Sequence, residues 1–277
     1  MSVLQIGNLG SSYAAGPTIP PSVGPVAAGR SGNNFAHLVA KHFNGNLTDL
    51  SVSGATLDNV LTQKQTVGNT TFNPQLQDLP PNQDVVFILG GGNDLNYIGG
   101  LLEESAAATS SAGDKRAYAD SVWGQAVVPD QDSLFPSSSS LRGRAASATT
   151  EQVAKKLGEV ADQVRTKSPE AQIFLVEYLP LLSDDTKPQT SYMPLSQSRI
   201  DHYKALYDGV NAAYVEASRT RQPWLTLVDL ANITGHALGS KEPWLWGYDT
   251  DHAKYHPMLI GHEKVADKLI KHIKHKK

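Results

Sequence analysis

The sequence contains no cysteine, which excludes a disulfide framework and a thiolate metal site. It has no excess of basic residues either, since 24 Lys and Arg stand against 27 Asp and Glu and the formal net charge is -3. The one basic run, residues 268–277, lies at the C-terminus, where cations suit the end of a helix. We therefore expect neither a small disulfide-stapled fold nor a nucleic-acid partner.

Long hydrophobic runs are absent too. No apolar stretch approaches the roughly 18 residues that a membrane-spanning helix needs. Residues 2–9 form a short, mainly apolar run that reads as a strand, with neither the charged start nor the long apolar centre of a signal peptide. The sequence thus predicts no membrane span and a cytoplasmic location, or a secreted one if a leader has been removed.

The apolar content that is present suffices for a sizeable core, because 40% of the 277 residues are hydrophobic. The clearest strand is 84–89, whose continuous apolar run is typical of a parallel strand covered on both faces. Further strand-like segments lie at 3–6, 46–52, 173–176 and 225–228. Apolar residues at helical spacing mark 35–43, 57–61, 153–164, 200–214 and 265–273.

This alternation predicts a single α/β domain over residues 1–277, with a parallel sheet of about five strands and helices on both faces. Residues 106–148 are rich in Ser, Ala and Gly and show little periodicity, so we interpret them as a lid-like insertion. Functional residues of such sheets gather beyond the carboxyl ends of the strands. Four segments, at Ser12, Gly54, Asn93 and His256, are therefore expected to meet at one edge.

These four segments contain the groups that ester hydrolysis needs. A serine hydroxyl is a weak nucleophile until a base takes its proton, and histidine suits this because its pKa lies near working pH. The carbonyl oxygen becomes negative in the tetrahedral intermediate, so hydrogen-bond donors must already face it. Ser12, His256, Gly54 and Asn93 supply this set.

The same residues stand in blocks that resemble those of the SGNH (GDSL-like) superfamily of esterases and lipases. Gly10-Ser11-Ser12 is similar to the GDS block, Gly54 to the glycine block, Gly91–Asp94 to the GxND block and His256–His262 to the HPxxxGH block. The resemblance implies a flavodoxin-like three-layer α/β/α sandwich. It also implies an oxyanion hole made by the N–H groups of Ser12 and Gly54 and the side chain of Asn93, with no cofactor and no metal.

Two positions depart from the family pattern. Ser11 replaces the usual Asp of the GDS block, which changes the support of the turn more than the attack itself. Ala253 stands where the family has an Asp, three residues before the catalytic histidine. Asp251 is predicted to orient the imidazole; Asp249, or a backbone carbonyl that would make a Ser-His dyad, are the alternatives.

Aromatic side chains near these blocks have two interpretations. Tyr13 and Tyr97 flank the predicted site, and Trp244 and Trp246 precede the His256 segment. They are expected either to contact the substrate or to cover the edge of the core.

The sequence therefore predicts a serine hydrolase that cleaves carboxylic esters with an acetyl or short acyl group through an acyl-enzyme on Ser12. The expected partner is a small-molecule ester. An acyltransferase with the same acyl-enzyme is one alternative, and a non-catalytic ligand-binding protein, motivated by Ala253, is another. The spacing of His252 and His256 also fits zinc, but Pro257 interrupts any continuous helix and no third ligand is evident.

Overall fold

The structure, a computed structural model, describes residues 3–110 and 147–274. In chain order its elements are β1 (Gln5–Gly10), α1 (Ser12–Ala15), α2 (Phe35–Phe43), β2 (Asn46–Asp49), α3 (Leu57–Leu61), β3 (Gln65–Val67), β4 (Thr70–Phe72), α4 (Gln75–Asp78), β5 (Val85–Leu89), α5 (Tyr97–Thr109), α6 (Thr150–Lys167), β6 (Gln172–Val176), α7 (Gln197–Arg219), β7 (Leu225–Val228) and α8 (Leu259–His272).

Five parallel strands form the central sheet in the order β2-β1-β5-β6-β7, which confirms the predicted α/β fold. Strand β5 is apolar and buried along its whole length, as expected for a strand covered on both faces. The strand order reverses between β1 and β5. The carboxyl ends of the strands beside such a reversal form a crevice, which is the usual ligand position in these sheets.

Helices flank the sheet. Helix α2 packs against α8, while α6 packs against α3 and α7, as right-handed crossovers require for this strand order. Helix α6 follows directly from its sequence, because its apolar stripe from Val153 to Val164 is buried and Thr149 forms a capping box with Gln152. Among the described helices, none combines the length and the apolar character needed to cross a membrane.

Several boundaries differ from the sequence-based expectation. Strand β1 begins at Gln5 rather than at residue 3, and it ends at the Gly/Ser-rich turn where the sequence predicts its end. Strand β2 ends at Asp49 rather than at residue 52. Helix α5 takes up residues 106–109 of the predicted lid-like insertion; residues 111–146 of that prediction lie outside the described residues.

Candidate active site

Ser12 begins helix α1, immediately after the turn that ends β1. Gly10 in this turn has a φ of 147°, and a Cβ there would collide with the carbonyl oxygen of Leu89, so only glycine fits. The buried amide of Gln75 accepts the Gly10 N–H at 2.8 Å and donates to the Gly10 carbonyl at 2.9 Å. The turn that presents Ser12 is thus held by main-chain and side-chain contacts.

Main-chain contacts join the first three sequence blocks. The Ser11 N–H donates to the Leu89 carbonyl at 3.1 Å, which ties the serine turn to the end of β5. The Val52 N–H donates to the Gly10 carbonyl at 3.1 Å, which brings the segment of Gly54 beside the same turn. The ends of neighbouring parallel strands therefore meet, as the sequence predicts.

His256 and Ser12 form a hydrogen-bonded pair across 244 positions of sequence. His256 Nε2 lies 2.8 Å from Ser12 Oγ, and Nδ1 lies 2.8 Å from the carbonyl oxygen of Lys254. A carbonyl oxygen only accepts, so Nδ1 carries the proton and Nε2 accepts the serine hydroxyl. Ser12 is 5% exposed and His256 is 1% exposed. This is the arrangement of a nucleophile beside a base.

Burial governs the protonation of His256. It lowers the pKa of His256 to about 4, against the opposing effect of the hydrogen bond to the Lys254 carbonyl. Burial, together with the nearby His256, also lowers the pKa of His262 to about 3. His262 has a separate main-chain partner, because its Nδ1 accepts the N–H of Phe35 at 3.2 Å. Both imidazoles are therefore uncharged at neutral pH.

The carboxylate expected to orient His256 does not take that position. Asp251 and Asp249 are exposed, whereas the ring of His256 is buried. The Lys254 carbonyl occupies the place at Nδ1 instead. The contact at Nδ1 is thus the one that the backbone-carbonyl alternative expects, and a role for Asp251 in orienting the ring stays a prediction.

The three donors of the predicted oxyanion hole lie on three different segments of the chain. Within residues 3–110 and 147–274, neither the Ser12 N–H nor the Gly54 N–H has a hydrogen-bond acceptor. The Asn93 amide donates to the Ala55 carbonyl at 2.8 Å, which uses one of its two hydrogens and fixes its direction. These groups have the chemistry that an incoming oxyanion needs.

Asp94, beside Asn93, connects two loops at this edge of the sheet. Its Oδ2 accepts the N–H of Leu57 at 3.0 Å, at the start of α3, and Lys156 lies 3.8 Å from its Oδ1. Burial raises the pKa of Asp94 to about 6. This carboxyl group therefore ties the loop after β5 to the segment that carries Gly54.

Tyr13 and Tyr97, which the sequence places beside the site, are both buried. The Tyr13 hydroxyl donates to the Tyr255 carbonyl at 2.6 Å, and its ring centroid lies 5.1 Å from that of His256. Tyr97 packs against Tyr207, with ring centroids 5.9 Å apart. Both tyrosines are packed within the core, as the second interpretation expects, and substrate contact by either ring stays a prediction.

Trp244 and Trp246 lie on a segment that pairs with the histidine segment. The Trp246 N–H donates to the His256 carbonyl at 2.9 Å. Both indoles are partly buried, and each stacks on an imidazole: Trp244 on His236 at 3.7 Å and Trp246 on His252 at 4.3 Å between ring centroids. This segment therefore braces His256 through its backbone, and substrate contact by the indoles stays a prediction.

Sequence reasoning does not find three supporting residues: Gln75, Tyr178 and Lys254. The Tyr178 hydroxyl accepts the Gly92 N–H at 3.1 Å and lies 3.5 Å from Ser11 Oγ, so it joins two of the blocks. Tyr178 follows the end of β6, where the strand-end argument also applies. Gln75 and Lys254 act on backbone groups, and no sequence pattern marks such contacts.

The chain thus combines a parallel α/β sheet with a serine–imidazole pair at the carboxyl ends of its strands, an arrangement that serine hydrolases use. The chain belongs to the GDSL-like Lipase/Acylhydrolase family, whose sequence pattern matches residues 9–264. The family consists of lipases and acylhydrolases, so it implies an ester as the substrate. A search of curated protein sequences finds no significant match.

Solved structures share the fold at low sequence identity. An extracellular lipase from Streptomyces rimosus is 20% identical, with a TM-score of 0.66 over 97% of this chain and 99% of that chain. Phospholipase A1 from Streptomyces albidoflavus is 18% identical, with a TM-score of 0.66, and the match covers 98% of this chain and 99% of that chain. A carbohydrate esterase family 2 enzyme from Myceliophthora fergusii is 14% identical, with a TM-score of 0.54, and the match covers 98% of this chain and 66% of that chain. These likenesses show the fold.

Proposed function

We propose that the chain is a carboxylic ester hydrolase that acts through an acyl-enzyme on Ser12. The observation that carries the proposal is the 2.8 Å contact between Ser12 Oγ and Nε2 of a buried His256. An uncharged imidazole at that distance can take the hydroxyl proton while the oxygen attacks an ester carbonyl. Membership of a lipase and acylhydrolase family supports this choice of reaction.

In the first step Ser12 Oγ bonds to the ester carbonyl carbon, and its proton passes to His256 Nε2. The carbonyl oxygen takes up the negative charge, which the N–H groups of Ser12 and Gly54 and the amide of Asn93 stabilise. The bond from carbon to the alcohol oxygen then breaks, and the alcohol leaves with the proton from His256. The Lys254 carbonyl accepts from Nδ1–H throughout and partly offsets the charge on the imidazolium.

In the second step water attacks the acyl group on Ser12, and His256 takes a proton from this water. The same donors hold the oxyanion. The tetrahedral intermediate releases the carboxylic acid, and the proton returns from His256 to Ser12 Oγ. Each bond made and broken is accounted for by the ester, water and these side chains.

A small acyl group, such as acetyl, is the proposed substrate group. Ser12 is only 5% exposed, so we expect a short acyl chain to reach its hydroxyl most easily. A panel of p-nitrophenyl esters of rising chain length tests this, with Ser12→Ala as the blank. Activity should fall as the chain lengthens; activity that survives Ser12→Ala refutes the mechanism.

Hydrolysis and acyl transfer are separated by adding a competing alcohol to the same assay. If water is the acceptor, the free acid accounts for the whole product and the alcohol changes little. If an ester of the added alcohol is the main product, the chain is an acyltransferase. Both outcomes keep Ser12 as the nucleophile.

A further inference from the structure

The carbonyl that orients His256 belongs to a loop, residues 248–256, rather than to a helix or strand. It carries no formal charge, so its effect depends on the Lys254 backbone staying in one conformation. The Lys254 side chain turns back over this loop, and its Nζ donates to the Tyr248 carbonyl at 2.7 Å and to the Thr250 carbonyl at 2.6 Å. One residue thus supplies both the carbonyl and the group that closes the loop.

We propose that Lys254 is a positioning residue for His256: its ammonium group holds the 248–256 loop in the conformation that aims the Lys254 carbonyl at Nδ1. The proposal rests on the proposed function, because it concerns the same base. It explains how a chain with Ala253 at the family's Asp position keeps its imidazole oriented.

The surroundings of Nζ fit a loop-closing contact better than a solvated surface charge. Nζ lies 4.9 Å from the centroid of the Tyr248 ring, whose face attracts cations, and its hydrogen bonds to two carbonyls are charge-assisted. Burial lowers the pKa of Lys254, while the negative charges of Asp251 and Asp249 raise it. The ammonium group is thus partly removed from water, and the two loop carbonyls are its hydrogen-bond partners.

Both ends of the loop are anchored to other parts of the molecule. The Tyr248 N–H donates to the Tyr192 carbonyl at 2.9 Å. At the other end, the Tyr255 carbonyl accepts the hydroxyl of Tyr13, the neighbour of Ser12, at 2.6 Å. Lys254 bridges these ends, so loss of its ammonium group loosens the segment between them and leaves the anchors in place.

The test compares Lys254→Met, which keeps the backbone carbonyl but removes the charge and the donors, with Lys254→Arg, which keeps both. Lys254→Met is expected to lower kcat about 10-fold, a fraction of the roughly 100- to 10,000-fold that a positioned base contributes, and to leave KM within about twofold. Lys254→Arg should recover most of kcat. Lys241→Met, at an exposed lysine, should match the wild type.

Proton NMR gives a readout that does not depend on turnover. The downfield Nδ1–H resonance of His256, assigned by its absence in His256→Asn, should exchange with water faster in Lys254→Met than in the wild type or Lys254→Arg. An unchanged resonance in Lys254→Met, a wild-type kcat, or a loss that Lys254→Arg does not restore overturns the proposal. A wild type that shows this resonance but hydrolyses no ester contradicts the proposed function instead.

Discussion

At the scale of single residues, the burial of His256 sets the pH at which its Nε2 can accept a proton. An ordinary histidine has a pKa of about 6.5, whereas burial lowers that of His256 to about 4. The base must be unprotonated to act, so a lowered pKa extends activity toward acid. The imidazole is a weaker base as a result, and the contact with Ser12 compensates by holding the two atoms together.

The pH profile of kcat/KM follows from this pKa. We expect kcat/KM for a short p-nitrophenyl ester to stay constant from neutral pH down to about 5 and to fall only near the pKa of His256. Initial rates, taken where circular dichroism shows the chain folded, measure this. An acid limb centred near 6.5 contradicts the burial argument.

Substitutions at Asn93 and at Asp251 are expected to have different effects on kcat. Asn93→Ala removes a donor to the oxyanion and should lower kcat about 100- to 1000-fold, with little change in KM. Asp251→Asn should leave kcat unchanged, because the Lys254 carbonyl and not this exposed carboxylate partners Nδ1. Steady-state kinetics of both variants decide the point. A large loss in Asp251→Asn reinstates that residue as the orienting group.

At the scale of elements, helices α6 and α7 are predictable because their apolar residues recur at helical spacing. The β3–β4 hairpin escapes prediction, since each strand has only three residues and the two-residue turn at Gly68 and Asn69 is its one signal. Helix α5 is not predicted from the sequence because glycine, serine and alanine interrupt its apolar stripe.

The candidate site also has parts that can be predicted from the sequence and one part that cannot. The segments of Ser12, Gly54, Asn93 and His256 follow from the strand ends and the family blocks, since those features are written in residue types. The partner of Nδ1 does not, because every residue has a carbonyl and its direction depends on the folded loop.

Helix α4 offers a test of how an element supports the nucleophile turn. Gln75→Ala removes two hydrogen bonds to Gly10 and leaves the buried N–H of Gly10 without a partner. The substitution should therefore lower the free energy of unfolding by about 1–3 kcal/mol. Gln77→Ala, on the exposed side of the same helix, is the matched control and should change little. Urea unfolding compares the two; equal effects contradict the assigned contact.

At the scale of the whole molecule, two buried imidazoles couple folding to pH. The pKa values of His256 and His262 are lowered to about 4 and about 3, so below pH 6.5 the unfolded chain binds protons that the folded chain does not. The free energy of unfolding therefore decreases as pH falls. Asp94 opposes this decrease in the free energy of unfolding. Because its pKa is raised, the folded chain binds a proton there before the unfolded chain does, from about pH 6 downward.

His262→Gln separates these contributions. Between pH 7 and pH 5 the wild type should lose more stability than the variant, by about 2 kcal/mol, because one buried imidazole no longer takes part. Urea unfolding at the two pH values gives the stability change of each protein. Because each protein is compared with itself, a pH-independent destabilisation of the variant does not enter the comparison. Equal pH dependence in the two proteins contradicts the buried, uncharged state of His262.

The nucleophile itself can be identified directly with a fluorophosphonate probe followed by peptide mapping on a mass spectrometer. The probe should form one covalent adduct, on the peptide that contains Ser12, and Ser12→Ala and His256→Ala should each abolish it, the first by removing the oxygen and the second by removing the base. An adduct on a different serine, or no adduct on the folded wild type, contradicts the account.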